Sequence, residues 1–122
     1  MLKNIAYVFG LLFLAVGVMG FIPATAPGGL LLGLFHVNLW HNLFHVATGV
    51  VAIWAGSQGH ARTFFQLFGV IYAVLAVLGF YYGDAPILGF IANNMADNLF
   101  HTTVALVSLY FGFVDVQHRV KE

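Results

Sequence analysis

The sequence predicts an all-α integral membrane protein: a four-transmembrane-helix bundle built from two parallel-repeat helical hairpins, with both termini cytoplasmic. Three observations predict it. Only 7% of the 122 residues are charged and 61% are hydrophobic, whereas a soluble domain carries about 25% charged residues. Four apolar stretches are each long enough for a bilayer core of about 30 Å, which takes roughly 20 residues of helix. A slide of 56 residues lays part of the second half of the chain on the first.

The first stretch, near 4–22 (NIAYVFGLLFLAVGVMGFI), follows Lys3. A basic residue ahead of an apolar run, with ATA at 24–26, imitates a secretory signal. The run exceeds a usual signal core and has a counterpart later in the chain, so it is expected to remain as a helix. The second stretch lies near 37–56 (VNLWHNLFHVATGVVAIWAG) and the third near 63–82 (TFFQLFGVIYAVLAVLGFYY). The fourth lies near 94–114 (NMADNLFHTTVALVSLYFGFV). PATAPGG, SQGHAR and GDAP separate them, with the Gly, Pro and small polar residues that punctuate helices. Trp40, Trp54, Tyr7, Tyr81 and Tyr82 fall near helix ends, where aromatic belts meet the headgroups. The many Phe residues read as lipid-facing and packing bulk.

If the four helices alternate in direction, Lys3, Arg62, Arg119 and Lys121 share one side and no Lys or Arg lies on the other. The positive-inside rule then places both termini in the cytoplasm. Asp84 falls in the second outer loop, and Asp97 enters the fourth helix from that outer face. His60 and His118 stand beside basic residues and read as solvated surface groups. Net charge is zero with four Lys and Arg, too few to neutralise a run of phosphates, so nucleic acid is not an expected partner. The lipid bilayer is. Without cysteine there is no disulfide, thiolate ligand or cysteine nucleophile.

The slide of 56 aligns LGLFHVNLWHNLFH (32–45) with LGFIANNMADNLFH (88–101), and seven of the fourteen positions are identical. They are Leu32/Leu88, Gly33/Gly89, Asn38/Asn94, Asn42/Asn98, Leu43/Leu99, Phe44/Phe100 and His45/His101. Upstream, a slide of 59 matches FG at 9–10 with 68–69 and GF at 20–21 with 79–80. The reading is therefore a single domain over 1–122, with repeat halves approximately 1–56 and 57–122. Each half holds two crossings, so both keep one orientation about an axis normal to the membrane.

Helical periodicity sorts the polar residues onto stripes. Asn38, His41, Asn42, His45, Thr48, Gly49 and Ala52 recur at spacings of three and four on the second helix. Asn94, Asp97, Asn98, His101, Ala105, Ser108 and Gly112 do so on the fourth. Polar residues in lipid face the bundle interior, so the two stripes are expected to meet across the axis. Gly10, Gly17 and Gly20 on the first helix, with Gly69, Ala73 and Ala76 on the third, offer close packing.

The paired N-x-x-H-N-L-F-H and N-x-x-D-N-L-F-H stretches, with LGLF ahead of the first and FIP ending the first helix, resemble the domain-of-unknown-function family four-three-eight-three. Its members are small bacterial four-helix membrane proteins without an assigned activity. The resemblance implies a bacterial inner-membrane location and makes Asn38, His41, Asn42, His45, Asn94, Asp97, Asn98 and His101 the family-type motif positions. His36 and a short second outer loop are departures.

The chemistry of the cluster has several readings. The first is a non-catalytic structural or partner-binding protein, in which Asn and His hold helices together at roughly 0.6–2 kcal/mol per contact. On that reading His41 and Asp97, the one unlike pair, form an imidazole–carboxylate contact. The second is a transition-metal site of His41, His45, Asp97 and His101, with Asn42 and Asn98 as hydrogen-bond support. A haem b variant uses His45 and His101 as axial ligands. A proton relay or small transporter through Asp97 and the histidines is the third. Enzyme chemistry has less support: there is no Gly-rich phosphate loop, no nucleophile elbow and no serine near the cluster, although a lipid-linked or quinone substrate stays open. A second copy of the chain, or a partner in a membrane complex, is equally open.

Overall fold

A computed structural model describes residues 1–115. Arg119, Lys121 and His118, used above for orientation and surface chemistry, lie outside the described residues. Four helices carry the fold: α1 Leu2–Gly20, α2 Leu39–Ser57, α3 Ala61–Tyr82 and α4 Met95–Leu109. A π-helical turn over Tyr110–Val114 continues α4. The bounds fall within a few residues of the expected stretches. One feature is additional: Leu30–Leu31 (β1) pairs antiparallel with Phe35–His36 (β2) in the α1–α2 connection.

The Leu-Gly identity of the repeat marks tight turns in the α1–α2 and α3–α4 connections. Leu32 and Gly33 take φ of 54° and 73°, and Leu88 and Gly89 take 53° and 88°. Glycine adopts this left-handed region freely, while each leucine is disfavoured there by roughly 1–2 kcal/mol. In the second connection the turn is closed by a bridge from Ile87 to Ile91.

Asn38 and Asn94 begin the two motif helices. Each is an N-cap whose side-chain oxygen accepts the backbone N–H three residues on, from His41 and Asp97 respectively, at 3.0 Å. Asp97 answers with its carboxylate on the Asn94 N–H, completing a capping box. The recurring N-x-x-H/D spacing is thus a helix-start signal, and the stripe proper begins one turn further in.

Within each half the helices meet through glycine. A side chain at Gly20 would fall on the Asn42 amide, and one at Gly79 on the Asn98 amide. Gly10 faces Ile53 and Gly49, while Gly69 faces Leu109; Gly56 meets Tyr7, while Gly112 meets Gln66. Under the two slides of the repeat these are matching positions, and each half closes as a hairpin by the same contacts. Between the halves, Phe13 and Tyr72 are both fully buried with ring centroids 5.4 Å apart. The Tyr72 hydroxyl and Thr48 Oγ are hydrogen-bonded at 2.9 Å. Leu2, Ala55, Ala61 and Phe65 gather the start of α1, the end of α2 and the start of α3 at one end. The α1–α2 and α3–α4 connections and Asn38 and Asn94 occupy the other.

Two of the helices, α1 and α3, are long and apolar enough to cross a membrane by length and composition. The other two differ from the expectation for a physical reason. Asn and His lower the hydropathy of α2, and α4 has 15 residues of regular helix before the π turn.

Candidate functional site

Two layers of polar groups lie beneath the α1–α2 and α3–α4 connections. The upper layer ties the halves together by exchange. Asn38 Nδ2 donates to the Phe90 carbonyl and Asn94 Nδ2 donates to the Leu34 carbonyl, both at 2.8 Å. His41 Nδ1 donates to the Ala92 carbonyl at 2.8 Å and to the His36 carbonyl at 3.0 Å. Asp97 Oδ2 accepts from the backbone N–H of both His36 and Asn94 at 3.0 Å. Phe90 and Ala92 are the repeat counterparts of Leu34 and His36, so these cross-half bonds come in mated pairs, whereas His36 Nδ1 to the Asn93 carbonyl at 3.4 Å and the Thr48–Tyr72 bond have no mate. Position 41/97 keeps this exchange although its residues differ. The imidazole gives a proton to the other half's carbonyl, and the carboxylate takes one from the other half's amide.

Below lies a triangle of imidazoles. Ring centroids are 4.4 Å apart for His41 and His45, 5.4 Å for His41 and His101, and 5.8 Å for His45 and His101. One nitrogen from each ring lies within 4.8 Å of the others. The side chains are 1%, 3% and 2% exposed for His41, His45 and His101. Phe13, Tyr72 and Phe100 wall the triangle, with Phe13 5.4 Å from His45 and Tyr72 5.5 Å from His101.

Hydrogen bonding separates the layers. Two carbonyls on His41 Nδ1 assign the proton to that nitrogen and turn a bare Nε2 toward the triangle. That Nε2, both nitrogens of His45 and Nδ1 of His101 have no hydrogen-bond partner among the described residues. An unsatisfied buried polar group costs about 1–3 kcal/mol. Asp97 Oδ1 stands 3.9 Å from His41 Nε2. The imidazole–carboxylate contact expected for the unlike pair is therefore present as a neighbour rather than a hydrogen bond. A narrow cavity of about 20 Å³ reaches His45 and Asp97 between Val16, Leu31, Phe35 and Phe100.

Of the eight motif residues, the structure brings His41, His45 and His101 together and sets Asp97 beside them. Asn38 and Asn94 are caps and cross-half donors. Asn42 and Asn98 fill the space left by Gly20 and Gly79, and Asn42 Oδ1 and both polar atoms of Asn98 have no hydrogen-bond partner among the described residues. They do not support the rings as the metal reading expected. Two contributors were not anticipated. Asn93, fully buried, donates to the Gly79 and Gly83 carbonyls at 3.1 and 2.7 Å and ends α3. Its repeat counterpart is Val37, so no pairing signal exposes it. Tyr72 stands where the slide of 59 puts Phe13, and that match was the available signal.

No curated protein and no solved structure matches the chain. The family model described as Domain of unknown function (DUF4383) matches residues 3–114, and the chain belongs to that family.

Proposed function

We propose that the chain is a four-crossing protein of a bacterial inner membrane, with both termini cytoplasmic, acting as a non-catalytic structural or partner-binding component. One observation carries the reading: polarity is inverted on α2 and α4, and all four helices turn apolar side chains outward. The buried polar side chains His41, Asn42, His45, Thr48, Asp97, Asn98, His101 and Ser108 lie on α2 and α4. The exposed faces of those same helices carry Leu43, Val50, Trp54, Leu99 and Leu106, and Tyr110 follows in the π turn. Val8, Leu11, Val74 and Val77 do the same on α1 and α3. Such a surface suits hydrocarbon, where polar groups turn inward.

Length supports it as well. The 15 residues of α4 and the 5 of the π turn run on continuously, and 20 helical residues span about 30 Å. The bonds exchanged between the halves supply the holding role, since separation would strip the Asn38 and Asn94 amides, the Ala92 carbonyl and the His36 N–H of these partners. Cysteine-accessibility labelling in intact cells tests the topology. A cysteine at Ala85, exposed in the second outer connection, reacts with an impermeant reagent from outside, and one at Ser57 reacts only after permeabilisation. The reverse pattern inverts the orientation; reaction of both from one side removes the four-crossing arrangement.

A further inference from the structure

We propose that His41, His45 and His101 bind one divalent first-row transition ion, with Asp97 Oδ1 as the fourth ligand. The proposal rests on the same buried cluster as the structural reading and adds a ligand to it. It stands on two independent features. One is convergence: three imidazoles from both halves offer nitrogens within 4.8 Å of one another in a buried setting. The other is orientation. His41 is held through Nδ1 by two carbonyls and Asp97 through Oδ2 by two amides, which leaves Nε2 and Oδ1 facing each other at 3.9 Å. Backbone groups that fix the far atom of a ligand, and so aim the near one, are the usual support of a metal centre. A shared ion accounts for the two unbonded nitrogens of His45 standing beside a His41 and an Asp97 that are held from behind.

The donor set selects the ion. Imidazole nitrogen suits zinc, iron, cobalt, nickel and copper, whereas calcium and magnesium take oxygen ligands. Ligands about 2.0–2.1 Å from a tetrahedral zinc stand roughly 3.4 Å apart. Closing from 4.8 Å to that separation takes about 1.4 Å, shared between two rings that can each rotate. A porphyrin between His45 and His101 does not fit, because His41 packs against both rings and the adjoining cavity of about 20 Å³ admits no more than one water.

The test uses the full chain in lipid nanodiscs, stripped with a chelator and titrated with Co²⁺ and then Zn²⁺. Wild-type protein is expected to bind Co²⁺ stoichiometrically, with the visible d–d bands of a four-coordinate ion, and to yield it to Zn²⁺. His45→Asn and His101→Asn each weaken binding by about 100-fold or more, and Asp97→Asn by about 10-fold. His60→Asn, altering an exposed residue at the opposite end, leaves it unchanged. Zn²⁺ also raises the unfolding temperature of the wild type, a readout that needs no variant to fold. Failure of the wild type to bind either ion more tightly than about 10 μM, or the absence of that rise, overturns the proposal. Binding lost in His60→Asn but kept in folded His45→Asn overturns it too. With the labelling pattern intact, such results remove the metal centre alone; an altered labelling pattern is what removes the structural reading.

Discussion

The upper layer of the cluster and the histidine triangle beneath it use the same residue types a few ångströms apart, yet they differ in satisfaction. Asn38, Asn94, Asp97 Oδ2 and His41 Nδ1 all hold partners in the opposite half. The ring nitrogens of His45 hold none among the described residues. Burial of polar groups therefore has two meanings in one stripe. Where donors and acceptors are matched, polarity is what joins the hairpins, and where they are not, it is available for something else.

Substitution separates the two meanings, and the largest effect is expected above. Asn38→Leu combined with Asn94→Leu removes two helix caps and two cross-half hydrogen bonds, at about 1 kcal/mol each, or about 4 kcal/mol together. Detergent-titrated unfolding measures it, and a loss under about 1 kcal/mol would show that the exchange does not hold the halves. Asp97→Asn is milder, at about 1–2 kcal/mol. The amide oxygen still accepts from His36 and Asn94, but without the charge. A cost above about 4 kcal/mol in that assay would mean the carboxylate has a partner beyond those two amides. The smallest effect belongs to the triangle. His45→Leu with His101→Leu, in chelator-treated protein, shifts stability by no more than about 1 kcal/mol, because apolar groups of similar size replace atoms without partners. If this pair instead costs as much as the asparagine pair, the rings are structural bonds after all and the contrast between layers dissolves.

Much of this arrangement was legible in the residues. The four helices follow from apolar runs bounded by Gly and Pro. The meeting of His45 with His101 follows from the three-and-four spacing of polar residues on two related segments. The division of labour was not legible. Asn38 and Asn42 share a stripe at helical spacing, but one is a cap whose backbone is extended and the other packs against a glycine. Side-chain periodicity does not distinguish them, because the helix start is set by backbone geometry one residue before the pattern begins. The strand pair at Leu30–Leu31 and Phe35–His36 is too short for a period-two signal. Asn93 is hidden for another reason: it closes the end of α3 from the next segment, a contact that neither its neighbours nor its repeat counterpart announces.

The exchange of bonds position for position makes each hairpin self-complementary. Two copies of the first half would meet as an isologous pair, with four imidazoles from positions 41 and 45 at the axis. Two copies of the second would place two Asp97 carboxylates there with two imidazoles. A symmetric pair can supply only an even number of carboxylates. Fusing two unequal hairpins into one chain permits an odd number, so a doubly charged guest at this axis would be offset by one negative charge, neither left bare nor cancelled.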